Sequence, residues 1–266
     1  MMSEKDGTAD KSASVEERAR AIFGARADLY TTSASHTDRQ VLDRLVEIAE
    51  PKGDWRVLDI GTGTGHTALA FAQHVREVLA LDLTEEMLAE ARNLAEERGV
   101  DNVSFRVADV HELPEELDGA FDLVTCRRAA HHFRDIGRAT AEMARALRPG
   151  GMLLIDDRSV PEDDWVDETM HRLDVLHDAS HVRQYRPGRW RELVEAAGLA
   201  AELVEPYTKH RPVSALTNRV APEDAARIHE ILDGLSPEER AKLRLETVDG
   251  QPHSTHWYVI VAARKQ

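Results

Sequence analysis

The sequence predicts an α/β fold in which a mostly parallel sheet is covered by helices on both faces. Short, almost wholly apolar segments, such as 55–60 (WRVLDI) and 77–83 (EVLALDL), alternate with segments whose apolar residues recur at helical spacing. Strands buried on both faces have continuous apolar runs, and strands that alternate with helices form parallel sheets. A glycine-rich turn at 61–65 (GTGTG) directly follows the first run, where ligands bind in such sheets.

The composition is that of a globular protein with a sizeable apolar core. The chain has 266 residues, of which 42% are hydrophobic, and its 49 acidic and 34 basic residues give a formal net charge of −15. Because proteins that bind phosphate backbones carry basic faces, we expect no nucleic-acid partner. No apolar run is long enough to span a membrane and the N-terminus has no apolar signal region, so we expect a cytoplasmic protein. The single Cys126 excludes an intrachain disulfide and a cysteine-based zinc site.

The first elements are an expected disordered tail at 1–13 and N-terminal helices in 14–53. The core, 54–157, is expected to contain five strands, which lie at 55–60, 77–83, 103–108, 121–126 and 152–156. Helices between them are expected at 67–75, from the N-cap Thr84 to Gly99, and at 136–147.

The chain changes character after the fifth strand. Residues 158–190 are polar, helical in the middle and bounded by prolines, and we expect a lid over the carboxyl edge of the sheet that contacts the substrate. Residues 191–266 are expected to complete the sheet. Strands near 201–207 and 255–262 would form an antiparallel pair, with two or three short helices inserted at 213–247.

The glycine turn is open to more than one interpretation. The spacing Gly63-x-Gly65-x-x-Ala68 satisfies the dinucleotide fingerprint, which would indicate an NAD(P)-dependent oxidoreductase. The register argues against this, because Gly61 already follows the last strand residue and the fingerprint would begin two residues late. A tight turn that binds no ligand is the other alternative.

Residues 57–65 (VLDIGTGTG) resemble the first motif of class I S-adenosylmethionine-dependent methyltransferases. Asp82 after the second strand, Asp109 after the third, and 147–151 (LRPGG) before the fifth follow in that family's order. A carboxylate can accept two hydroxyl donors or an exocyclic amine, as the family's ribose and adenine contacts require. The segment 125–133 (TCRRAAHHF) resembles the UbiE-like small-molecule subgroup. It lacks the Asn-Pro-Pro-Tyr element of branches that methylate nucleobases or amides.

The resemblance implies a Rossmann-like, doubly wound sheet of seven strands, mostly parallel with an antiparallel last strand. It implies S-adenosylmethionine as the cofactor and transfer of its methyl group to a small molecule by in-line displacement. A non-catalytic S-adenosylmethionine-binding protein stays open beside the oxidoreductase. The acceptor, the methylated atom and the oligomeric state also stay open, with a homodimer as one option. The implied cofactor site comprises Asp59, Gly61, Thr62, Gly63, Gly65, Asp82, Leu83, Met87, Asp109, Val110 and Arg127.

Two histidines just past the fourth strand are the candidate catalytic residues. The unperturbed pKa of histidine, about 6.5, suits a general base. We expect His132 to point toward the methyl group and His131 to point away. The candidate substrate pocket consists of Tyr30, His36, His181 and Arg183.

Charged residues near the expected lid suggest two further possibilities. His177 and His181 have the spacing of metal ligands on a helix, but no third ligand is implied and we expect no metal. An anionic or phenolic acceptor could be recognised by arginines, for which the candidates are Arg127, Arg128, Arg183 and Arg186.

Overall fold

Eight strands form one sheet, in the order β3-β2-β1-β4-β5-β8-β6, with β7 paired only to β8. The computed structural model describes residues 14, 16–18, 20–24, 37–218 and 220–266. The strands are β1 Arg56–Ile60, β2 Glu77–Asp82, β3 Val103–Val107, β4 Phe121–Arg127, β5 Leu147–Ser159, β6 Leu199–Pro212, β7 Glu246–Val248 and β8 Gln251–Lys265.

Helices connect these strands in the expected alternation. Residues 16–18 and 20–24 are helical and are termed α1. The other helices are α2 Arg39–Ala49, α3 His66–Ala72, α4 Glu85–Glu97, α5 Ile136–Ala146, α6 Asp164–His177, α7 Pro187–Ala196, α8 Ser214–Thr217, α9 Pro222–Asp233 and α10 Pro237–Lys242. No helix among the described residues is both long and apolar enough to cross a bilayer.

The predicted doubly wound sheet is confirmed. Strands β1 to β5 pair in parallel, and β8 is antiparallel to both β5 and β6. The predicted count of seven strands is one too low, because it omits β7. That strand has three residues, all exposed, and therefore carries no apolar signal. The prediction that Thr84 caps the helix after β2 is confirmed for its position but not for its side chain. Thr84 occupies the N-cap position of α4, but its side chain makes no capping hydrogen bond.

Alternate residues of the central strands face two separate apolar clusters. Leu58 and Ile60 pack on one side of the sheet, in a cluster that includes Trp190 of α7. Val57 points to the other side, in a cluster with Phe71 of α3. Burying each such side chain contributes roughly 1.5–3 kcal/mol, so the two-sided burial holds the strand ends, and the turns after them, in place.

The segment that follows β5 has an apolar cluster of its own. Val166 and Leu173 of α6 pack with Ile228 of α9, and Trp257 of β8 joins the same cluster. Trp257 is thus a core aromatic. This cluster holds α6 close to the carboxyl end of β5. The predicted tail at 1–13 and the candidate pocket residues Tyr30 and His36 lie outside the described residues.

Candidate active site

A cavity of about 460 Å³ opens beyond the carboxyl ends of the parallel strands. Its walls include the turns after β1, β2, β3 and β4 and the carboxyl end of β5. The strand order reverses between β1 and β4, which is the point where ligands bind in open α/β sheets. The turns that bear the predicted motifs therefore meet at one place.

Asp59 holds the glycine turn from inside the sheet. Its carboxylate is 1% exposed and accepts hydrogen bonds from the hydroxyls of Thr62 and Thr125, each at 2.6 Å. Burial raises the pKa of Asp59 to about 6, although both hydroxyl donors oppose the shift. Asp59 does not line the cavity. Its place is therefore behind the turn, which it shapes, and not in the wall that a cofactor would touch.

Two of the glycines are required by the path of the turn. Gly61 has φ +61°, and a Cβ there would lie 2.5 Å from the Cβ of Ala129. Gly63 has φ +55° and open space beside it, so a Cβ would project into the room left for a ligand. Both residues line the cavity, whereas Gly65 does not. A Cβ on Gly65 would lie 3.1 Å from Ala91 of α4, so this glycine serves helix packing.

Asp82 lines the cavity, and its carboxylate can accept further hydrogen bonds. Oδ2 accepts the backbone N–H of Gly63 at 2.8 Å, and Oδ1 accepts that of Thr84 at 3.0 Å. Burial raises the pKa of Asp82. Each carboxylate oxygen has a further lone pair, so two hydroxyl groups of a ribose can still be bound. The neighbouring Leu83 and Met87 line the same wall. These donors, acceptors and apolar surfaces fit S-adenosylmethionine.

Asp109 borders the cavity after β3 and has more protein partners than the sequence suggests. Its Oδ1 accepts the backbone N–H of His111 at 2.8 Å and lies 2.6 Å from Nδ1 of the same residue. Its Oδ2 accepts Nη1 of Arg134, which also pairs with Glu16 of α1. Partial burial opposes the shift, but these hydrogen bonds lower the pKa of Asp109. Asp109 is therefore a carboxylate at neutral pH, and Val110 beside it lines the cavity.

Two consecutive arginines, Arg127 at the end of β4 and Arg128 just after it, line the cavity. Nε of Arg127 donates to the hydroxyl of Thr67 at 2.9 Å, and burial lowers the pKa of Arg127. Nε of Arg128 donates to Asp156 at 2.9 Å, and its guanidinium lies 3.7 Å above the ring of Tyr258. Both side chains are thus held by protein groups.

The two candidate catalytic histidines lie side by side, with ring centroids 4.0 Å apart. Nδ1 of His131 is 2.5 Å from Oδ1 of Asp157, whose Oδ2 accepts the His131 backbone N–H. Burial lowers the pKa of His131 well below its usual value. Nδ1 of His132 is 3.1 Å from the carbonyl oxygen of Ser180. The sequence predicted that only His132 faces the site, but both residues line the cavity.

The pocket candidates after α6 separate into one that reaches the cavity and one that does not. His181 lines it, 5.7 Å from His131 between ring centroids, and burial lowers the pKa of His181 to about 2. Arg183 lies outside the cavity lining, and its Nη2 donates to Asp167 at 2.8 Å. Arg186 pairs with the same carboxylate. These two arginines therefore anchor the segment to α6.

Sequence reasoning missed several residues of the cavity wall, among them the four contributed by β5, β6 and β8. Arg158 lies near the end of β5, opposite Tyr258 of β8, and Arg211 of β6 and His256 of β8 lie further along the pair of β6 and β8. Arg158 could have been found by the rule that revealed Asp82, because both residues lie at the carboxyl end of a parallel strand. Arg211 and His256 carry no such signal, since only the pairing of β6 with β8 brings them to the cavity.

Comparison with known proteins agrees with this geometry. The methyltransferase-domain family matches residues 51–198. The chain belongs to the class I S-adenosylmethionine-dependent methyltransferases. It is 39% identical to YcgJ, an uncharacterized methyltransferase of Bacillus subtilis, over 185 residues that cover 70% of this chain and 73% of YcgJ. The crystal structure of YcgJ superposes with a TM-score of 0.79 at 34% identity, over 85% of this chain and 97% of YcgJ.

Other methyltransferases resemble part of this chain in sequence or share its fold. Demethylmenaquinone methyltransferase of Thermus thermophilus is 42% identical over 114 residues, which are 42% of this chain and 51% of that enzyme. Geranyl diphosphate methyltransferase, solved in complex with S-adenosylmethionine, has a TM-score of 0.59 at 18% identity, with 85% of each chain covered. Because the chain belongs to the class I S-adenosylmethionine-dependent methyltransferases, its cofactor is S-adenosylmethionine.

Proposed function

We propose that this methyltransferase transfers the methyl group to a small molecule bound in the histidine-lined part of the cavity. The observation that carries the proposal is that one cavity joins the glycine turn and Asp82 to His131, His132 and His181. Its volume, about 460 Å³, lies in the range of small-molecule sites. The formal charge of −15 and the absence of an Asn-Pro-Pro-Tyr element after β4 argue against a nucleic-acid acceptor.

The cofactor end would be held mainly by Asp82 and the turn at Gly61–Gly63. S-adenosylmethionine supplies an electrophilic methyl group when bound. Asp82 would accept the ribose hydroxyls, and the open space at Gly63 would let the backbone approach the ligand. Val110, beside Asp109, would provide an apolar surface for the adenine. The dinucleotide alternative is disfavoured because Gly65 of its fingerprint packs on Ala91 and not on the cavity.

The acceptor end offers bases for an acceptor that must lose a proton. We keep His132 as the first candidate, because its Nδ1 is held by the Ser180 carbonyl and Nε2 remains for the acceptor. His131 is the second candidate. Asp157 fixes its tautomer in the way that a buried carboxylate orients a catalytic imidazole, and burial lowers the pKa of His131 so that the ring is neutral.

The experiment that tests the proposal measures S-adenosylhomocysteine release while metabolite fractions are supplied as acceptors, followed by mass spectrometry of the product. Product in one or more fractions, with a mass gain of one methylene, supports the proposal. The matched control is Asp82→Ala, which should release less S-adenosylhomocysteine than the wild type when the cofactor is supplied near the wild-type dissociation constant. Cofactor binding without methylation of any supplied metabolite would favour the non-catalytic alternative.

A further inference from the structure

One face of the sheet extends the cavity beyond the histidines and is rich in cationic groups. Directly paired residues of antiparallel strands share a face, so Arg158 and Tyr258 point the same way, as do His256 with Lys209 and Ser254 with Arg211. Arg158, Arg211, His256 and Tyr258 line the cavity and are here termed the cationic wall. The wall faces the end of α6, where Asp174 and Asp178 lie.

The charges near this wall are matched by protein partners, with one exception. Arg158 donates to Oδ1 of Asp174 at 2.6 Å. Asp178 accepts the backbone N–H and the hydroxyl of Ser180. Lys209, on the same face, pairs with Asp38 at the start of α2.

Arg211 is the exception. Within the described part of the chain, its guanidinium has no ion pair and no hydrogen bond, and its Nε is buried without a partner. An unpaired, half-buried guanidinium is costly because burial removes water without replacing it. The charge is therefore available to a ligand at this end of the cavity.

The charges of Arg211 and the neighbouring arginines act on the titratable residues of the wall. Burial by itself would raise the pKa of Tyr258, yet the charges of Arg128, Arg158 and Arg211 lower it. Burial together with Arg158 and Arg211 lowers the pKa of His256 well below its usual value. At the histidine end of the cavity, Oδ2 of Asp174 and Nε2 of His181 are also buried without a hydrogen-bond partner among the described residues. Buried polar atoms usually have partners, so the site accommodates a polar molecule.

We propose that the methyl acceptor is an anionic small molecule whose carboxylate or phosphate pairs with Arg211 in the cationic wall. That the bound anion is the methyl acceptor rests on the proposed function, but the anion site itself does not depend on methyl transfer. In a protein with a formal charge of −15, an anion is repelled by most of the surface. A single unpaired arginine inside the cavity therefore selects anionic acceptors over neutral ones of the same shape.

The test compares binding of benzoate, phenyl phosphate and benzamide by calorimetry, with S-adenosylhomocysteine present and absent. The wild-type protein should bind at least one of the two anions, and it should bind benzamide at least about tenfold more weakly. Whichever anion binds more tightly shows whether the site prefers a carboxylate or a phosphate. Arg211→Gln should lose this preference and Arg211→Lys should retain part of it. Arg227→Gln, which removes an exposed arginine of α9 outside the cavity, should behave as wild type. Circular dichroism checks that each variant is folded.

Several results would overturn the inference. They are equal binding of benzoate, phenyl phosphate and benzamide, an unchanged preference in Arg211→Gln, or no binding of any anion at millimolar concentration. Failure of the proposed function is distinguishable, because it would appear as absent S-adenosylhomocysteine release with the anion preference intact. Conversely, methylation of a neutral acceptor by wild type and Arg211→Gln at equal rates would refute only the anion site.

Discussion

The carboxylate of Asp82 accepts a hydrogen bond from the backbone N–H of Gly63, with 2.8 Å between Oδ2 and N. This bond joins the end of β2 to the turn after β1, so one side chain both shapes the glycine turn and faces the cofactor end of the cavity. Loss of Asp82 should therefore affect the cofactor site in two ways, through a lost acceptor and through a loosened turn.

We expect Asp82→Ala to weaken S-adenosylmethionine binding by about 1–3 kcal/mol, which corresponds to roughly 5- to 150-fold in the dissociation constant. Calorimetry with wild type and variant measures the change. Glu85→Ala is the control, because Glu85 is an exposed acid in the first turn of α4 that pairs with Arg92. A dissociation constant for Asp82→Ala equal to that of the control would place the ribose contact elsewhere.

Gly63→Val should abolish cofactor binding while the fold is retained. Valine disfavours φ +55°, and its side chain would fill the open space beside the turn. Gly99→Val is a matched control, since Gly99 has φ +64° and open space at its Cβ but follows α4 away from the cavity. Both variants should lose stability in urea unfolding, and only the first should lose S-adenosylmethionine binding. Normal binding by a folded Gly63→Val protein would refute this placement of the turn.

His132→Ala should lower turnover more than cofactor affinity. If His132 removes a proton from the acceptor, turnover should fall by about 10²–10⁴-fold and the cofactor dissociation constant should hardly change. The measurement is turnover against pH once an acceptor is known, for wild type, His132→Ala and His131→Ala. A variant with an unaltered turnover number, or a wild-type profile without an ionisation near neutral pH, would exclude His132 as a base. A larger loss of turnover in His131→Ala would assign the role of base to His131, which is paired with Asp157.

Buried His181 should make the protein less stable as the pH falls. Its pKa is about 2 in the folded protein, against about 6.5 for an unperturbed histidine. Between these values the unfolded chain binds a proton that the native protein does not, so the free energy of unfolding decreases below about pH 6.5, by at most about 1.4 kcal/mol per pH unit. His181→Gln should reduce this slope in urea titrations, and His229→Gln, at an exposed position of α9, should not. Equal slopes in all three proteins would contradict the assignment.

The segment 158–188 remains a predicted lid. Because α6 packs in its own apolar cluster with α9, it can move with less disruption of the sheet than a helix of the central layers. We expect faster amide hydrogen exchange in this segment than in β1 and β4, and slower exchange after S-adenosylmethionine is added. Exchange that is equally slow in the segment and in the core strands, with and without cofactor, would argue against a lid.

Local sequence signals were enough for the sheet and for the cofactor end of the site. The apolar runs, the glycine turn and Asp82 are adjacent in the chain to the strands that position them, so their places follow from the direction of a parallel strand. The same reasoning placed Asp59 at the turn but not behind it. The buried position of the Asp59 side chain depends on its hydrogen bonds with Thr62 and Thr125, and Thr125 lies on another strand.

The acceptor end was decided by contacts between distant parts of the chain. The order of residues in the sequence shows that arginines and histidines lie at and after the end of the fourth strand and in and near α6. It could not determine that Arg183 would form an ion pair with Asp167, because this pairing depends on which side of α6 faces the segment after it. Nor could it place Arg211, which reaches the cavity only through the register of β6 on β8 and of β8 on β5. A shift of one residue in that register would turn Arg211 to the opposite face, so the long-range pairing of these strands determines which charge the acceptor meets.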